Sequence, residues 1–164
     1  MRTRMLAFCM LGSLIGGIGL LFAADDVNNE AVRKERRLYE GTWRVTALQA
    51  DGSNMSEEYC EMITVLNELD GKWTVKLQGE VIWKGVSSID PARSPKTIDF
   101  RPTEGVDVGK TFFGIYEIGR DTRRLCYAEA GIERPAAFSA EKGSGHVLVT
   151  FKRERSIALL PKPH

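Results

Sequence analysis

The chain has 164 residues, with 23 lysines and arginines against 22 aspartates and glutamates, a formal net charge of +1. That balance excludes a basic surface built for nucleic acid, and no Lys/Arg-rich amphipathic face recommends a membrane surface. The length suits a single domain with a real core.

The N-terminus reads MRTRMLAFCMLGSLIGGIGLLFAADD. Arg2 and Arg4 precede an apolar run from Met5 to Phe22, and Ala23-Ala24 stand ahead of Asp25-Asp26. A basic start, an apolar run and small residues before a polar segment form a secretory signal. Residues 1–24 are therefore expected to be removed, after Ala23 or Ala24, placing the mature protein in the periplasm or outside the cell with no membrane attachment. An uncleaved anchor is the alternative, because the run approaches the ~20 residues that span a bilayer. Glycines in the run and the alanine pair favour cleavage. Cys9, behind the bulky Phe8, sits too early to be a lipid-attachment site. Loss of the leader leaves about 140 residues, with 21 basic against 22 acidic.

Two cysteines remain, Cys60 and Cys126. An even count in an oxidising compartment permits a disulfide, but two separately buried thiols satisfy the sequence equally well.

Residues 25–37 are polar and charge-rich and read as a linker running into a short helix that ends near Gly41. The barrel domain is expected over 38–157, followed by a tail at 158–164. From Trp43 onward the texture changes. Glycine, proline and Asp-Gly punctuation recurs roughly every ten residues, and the runs between are rich in Val, Ile, Thr and aromatic residues. In KWTVKLQ, Trp73, Val75 and Leu77 alternate with Thr74, Lys76 and Gln78, a strand with one wet and one dry face. Asp70-Gly71 ahead of it marks a hairpin after EMITVLNEL. Further strands are expected at 42–49, 81–89, 97–101, 110–118, 123–128, 136–140 and 146–153.

Strands this closely spaced are antiparallel, since parallel crossovers need about a dozen residues. The expected fold is all-β: an eight- to nine-stranded antiparallel up-and-down barrel with a short N-terminal helix, closed so that no edge is exposed. Trp43, Trp73, Trp83, Phe100, Phe151 and one of Phe112 and Phe113 would fill much of its interior.

The motifs that suggest chemistry fail on inspection. EGVDVGKTFF resembles a phosphate loop, but Glu104 stands where glycine is required, and a strand rather than a helix follows Lys110-Thr111. His146 and His164 pair with no cysteine at a metal-ligand spacing. Ser144 near His146 lacks the nucleophile elbow. Asp99 and Glu117 lie within strands whose apolar residues alternate with them, so both carboxylates are expected to face outward. No catalytic motif, metal site or cofactor site results.

Gly41, one spacer and Trp43, at the junction of helix and first strand, resemble the lipocalin signature. The resemblance implies that Trp43 plugs one end of the barrel and that an arginine from the last strand lies across its ring. Arg153 continues the alternation of Val147, Val149 and Phe151 and is the expected partner, with Arg155 in reserve. In addition, GTWRV, DPARSPKTIDF, GKTFFGIYEI, LCYA and ERPAAFSA…GSGHVLVTFKRE occur in the order seen in a family of small exported, lipocalin-like domains of planctomycete bacteria. That resemblance spans nearly all of the mature chain and implies a calycin-type barrel and an extracytoplasmic location, with no known activity. In that family the cysteine of LCYA has no obvious partner, which leans Cys126 towards a thiol.

Two functions fit. One is a monomeric binding module holding a small apolar ligand against Trp73, Trp83, Phe100, Tyr116 and Phe151. The other is a packed barrel acting on an extracytoplasmic protein partner through its outer surface. A cavity on the order of several hundred cubic ångströms would favour the first, and a filled interior with an exposed apolar patch the second.

Overall fold

The computed structural model describes residues 19–155. Most of the segment read as a leader and the tail at 158–164 lie outside the described residues. Helix α1 (Gly19–Tyr39) leads into β1 (Gly41–Ala50), β2 (Ser53–Asn54), the short helix α2 (Glu57–Glu61), β3 (Ile63–Asn67), β4 (Lys72–Leu77) and β5 (Glu80–Asp90). The chain continues through β6 (Lys96–Glu104), β7 (Phe112–Ile118), β8 (Thr122–Ala128) and β9 (His146–Arg153). No helix among the described residues is long and apolar enough to cross a membrane.

Every strand except the two-residue β2 pairs with its sequence neighbours, and β9 returns to pair with β1. The result is a closed, eight-stranded antiparallel up-and-down barrel. The strands alternate core and surface as expected: Trp43 and Val45 on β1, and Ile98 and Phe100 on β6, are buried. A bulge at Thr46 shifts β1 against β9, so its inward residues change from Trp43 and Val45 to Leu48. The Asp70-Gly71 hairpin forms between β3 and β4, with the Asp70 carboxylate accepting from the Lys72 amide at 3.0 Å. Gln78 and Gly79 both take positive φ, at 52° and 87°, the conformation that tight hairpins demand.

The strand expected at 136–140 does not form. Those residues belong to the long β8–β9 connection, which crosses the outside of the barrel. Closure leaves no free strand edge for them to join. Arg134 from this connection donates to the carbonyls of Ile98 and Gly114 at 3.1 and 2.7 Å and to Asp99 Oδ1 at 2.6 Å. The connection thereby hides the outer face of β8, which explains why Cys126 and Ala128 are buried although they point away from the interior.

Cys60 and Cys126 are free thiols, both buried, so the disulfide left open by the sequence is not made. Cys60 packs beside Trp43 and Ile63, whereas the Cys126 thiol meets the Ser139 carbonyl at 3.3 Å under the β8–β9 connection.

Candidate functional site: the barrel interior

Antiparallel pairing puts the N-terminal end of β1 with the last residues of β3, β5, β7 and β9, and α1 covers this end. Its face toward the barrel is Val32, Glu35, Arg36 and Tyr39, one side of a helix at spacings of three and four. Only two of these are apolar, and the helix is held largely by polar contacts. Lys96 Nζ meets Glu35 Oε1 at 2.5 Å, and Arg36 donates to the Ser87 hydroxyl at 3.0 Å and to the Ser87 carbonyl.

The helix C-terminus is capped from the barrel. Trp43, fully buried, donates from Nε1 to the Tyr39 carbonyl at 2.9 Å. Arg153 donates to the carbonyls of Glu40 and Leu38 at 2.6 and 2.5 Å, and to Arg120 at 2.8 Å. Its guanidinium carbon lies 4.1 Å from the Trp43 ring centre. Carbonyls left over at a helix end need such donors, and a cation there complements the helix dipole. Gly41 makes this possible: its φ is +114°, and a Cβ there would come 2.9 Å from an Arg153 nitrogen. Arg155 instead pairs with Asp121 at 3.4 Å.

Above this plug is a cavity of about 170 Å³ whose wall is chiefly apolar. Trp73, Trp83, Phe100 and Phe151 line it, as expected from their alternation. Trp73 and Trp83 meet edge to face at 5.2 Å, and Tyr127 meets Phe100 in the same way at 5.1 Å. Phe112 stacks on Phe100 at 5.1 Å and extends the cage, while Phe113 is half-exposed outside. The expectation for Tyr116 is corrected: it does not line the cavity. It is consumed in the plug, where its ring meets Tyr39 edge to face at 5.2 Å beneath α1.

Five polar side chains reach the cavity wall, all unanticipated: Tyr39, Asn67, Ser87, Arg123 and Tyr127. Arg123 is only 3% exposed. Its guanidinium carbon stands 4.0 Å from the Phe151 ring centre, 4.9 Å from Tyr39 and 5.0 Å from Trp43. Burial holds its pKa down at about 10, with the Tyr39 hydroxyl working the other way and Arg153 adding to the depression. It therefore remains a cation at neutral pH. A signal for Arg123 was present in the sequence: Arg123, Leu125 and Tyr127 alternate, so an inward Leu125 implies an inward arginine. No comparable pattern marks Asn67 or Tyr39.

The segments that suggested chemistry form turns and surface pairs among the described residues, and His164 lies outside them. Gly105 to Thr111 form the β6–β7 connection, where Lys110 pairs with Asp107 at 2.6 Å. Ser144 donates to the Glu141 carbonyl at 2.6 Å and accepts from the His146 amide, forming a turn. Asp99 and Glu117 face outward and pair with Arg134 and Arg124. No group of three or more metal-binding side chains gathers among the described residues. No protein-family model, curated protein or solved structure matches the chain.

Proposed function

We propose that this protein is an exported, monomeric, lipocalin-like binding module that holds one small, mostly apolar ligand inside its barrel and catalyses no reaction. The observation carrying this reading is the aromatic-walled cavity above a plugged barrel end; at about 170 Å³ it falls short of the cavity on the order of several hundred cubic ångströms that the sequence reading asked for, which restricts any ligand to a small one. An apolar cavity of about 150 Å³ holds a benzene ring, so the ligand is the size of one ring or a short chain, smaller than typical drug-sized ligands. The Gly41–Trp43–Arg153 arrangement supports the lipocalin-like assignment, and the basic, apolar, small-residue order of the N-terminus supports export.

A second reading draws on the surface. Val81, Ile82, Val106 and Val108 are exposed at the barrel end away from α1, an apolar rim suited to a protein partner. Native mass spectrometry separates the two. Protein purified without denaturant from its own host is weighed before and after denaturation. A small extra mass lost on denaturation supports the binding module. A bare chain from both its own and a foreign host, or a co-purifying protein in its place, supports the interaction domain.

A further inference from the structure

The cavity wall has more unmet hydrogen-bonding capacity than an entirely apolar ligand would leave. Buried polar atoms are normally paired. Here Arg123 Nε, Asn67 Nδ2, Tyr39 Oη and Trp73 Nε1 are buried without a partner, and all four residues line the same cavity. Asn67 and Trp73 stand opposite each other in the β3–β4 register, so their unpaired donors sit on one stretch of wall.

Arg123 is the most demanding of these groups. It takes part in none of the ion pairs among the described residues. A second cation, Arg153, lies over the same Trp43 ring. The rings of Phe151, Trp43 and Tyr39 attract the guanidinium, but they supply no oxygen to its N–H edge. A buried cation without a counter-ion is costly, and an anion is the partner that would offset that cost best. Nothing in the described chain provides one.

We infer that the cavity takes a small organic acid, its carboxylate on the N–H edge of Arg123 and its apolar body among Trp73, Trp83 and Phe100. A planar carboxylate matches the guanidinium fork. One cation in an otherwise apolar wall balances one negative charge, which favours a monocarboxylate over a phosphate dianion. This inference rests on the binding reading above and narrows it.

The test compares matched pairs: phenylacetate with 2-phenylethanol, and hexanoate with 1-hexanol. Binding is followed by calorimetry and by the fluorescence of Trp73 and Trp83. The acids are expected to bind about 10- to 100-fold tighter than the alcohols at pH 7. Arg123→Met is expected to abolish that preference while the alcohols still bind. The wild-type comparison needs no variant, so it stands even if Arg123→Met fails to fold. Nitrogen NMR of the Arg123 Nε–H adds a direct readout, with a shift expected on adding phenylacetate. Alcohols binding as tightly as acids, or phenylacetate binding without moving the Arg123 signal, overturns the acid inference and leaves the binding module intact. Failure of all four compounds to bind at millimolar concentration overturns both.

Discussion

Arg153, the last residue of β9, lies 4.1 Å over the ring of Trp43 while donating to the Glu40 and Leu38 carbonyls. One side chain thus closes the barrel floor and fastens α1 to it. Trp43→Ala is expected to destabilise by ~3–5 kcal/mol, as large-to-small core changes do. Arg153→Met should cost about 2 kcal/mol, chiefly through the helix carbonyls it leaves without a donor. The double variant should recover about 1 kcal/mol of coupling. Urea titrations of the four proteins measure this; additive losses would mean the stacked contact contributes nothing.

Gly85 lies buried on β5, directly opposite Trp73 in the β4–β5 register. A Cβ there would stand 2.2 Å from the Trp73 ring and 2.3 Å from the Arg101 carbonyl. The carbonyl is backbone and the indole is packed, so neither yields cheaply. Gly85→Ala is expected to cost about 3 kcal/mol and to disturb the near-ultraviolet circular dichroism of Trp73. Gly79→Ala makes a useful contrast. Its Cβ meets nothing within 4 Å, so any loss would come only from its φ of +87°. Equal losses at the two glycines would show that the contact with Trp73 is unimportant.

Alkaline pH acts on several groups in opposing directions. Burial raises the hydroxyls of Tyr39, Tyr116 and Tyr127, the last to about 12, from an ordinary value of 10.0. A raised folded-state value contributes stability that is full below pH 10 and lost as pH climbs through the folded value. Arg123, held down at about 10, has the reverse sign. The folded state releases its proton before the unfolded chain does, so stability gains above pH 10. Three tyrosines oppose Arg123 and Arg36, which burial also lowers, and the protein should weaken between pH 10 and 12. Urea midpoints at pH 8, 10 and 11 check this, and Tyr127→Phe should flatten the decline. A midpoint that rises above pH 10 would show that relief of the Arg123 charge dominates.

Cys60 and Cys126 are both fully buried, and burial raises the Cys126 thiol above its ordinary range. Because both sulfurs are shut off from the reagent, neither should be alkylated by iodoacetamide in the folded protein. Both should be modified after denaturation without a reductant, as peptide mass mapping would show. A Cys60–Cys126 linked peptide from the unreduced protein would contradict two free thiols.

The barrel was legible because a strand's two-residue period is written directly into KWTVKLQ and HVLVTFKR, and short connections force antiparallel neighbours. Trp73, Trp83, Phe100 and Phe151 could be placed inward on that ground, whereas the meeting of Trp43 with Arg153 beside Gly41 was implied by the resemblance to the lipocalin signature, alternation supplying only the inward direction of Arg153. Period alone misjudged 136–140, because alternation does not reveal whether a strand edge is free to receive a segment. It also misjudged Tyr116. Its inward direction is right, but whether an inward side chain meets a cavity or a neighbouring helix depends on depth along the barrel.

The sequence by itself determined the direction of most side chains, since alternation is a local property of an extended chain. Only the tertiary structure decided what those side chains meet. It buried both faces of β8, separated Cys60 from Cys126, and left Arg123 in the wall of an aromatic cavity without a counter-ion. Such features are set by which distant segments closure of the barrel brings together, and no local pattern carries that information.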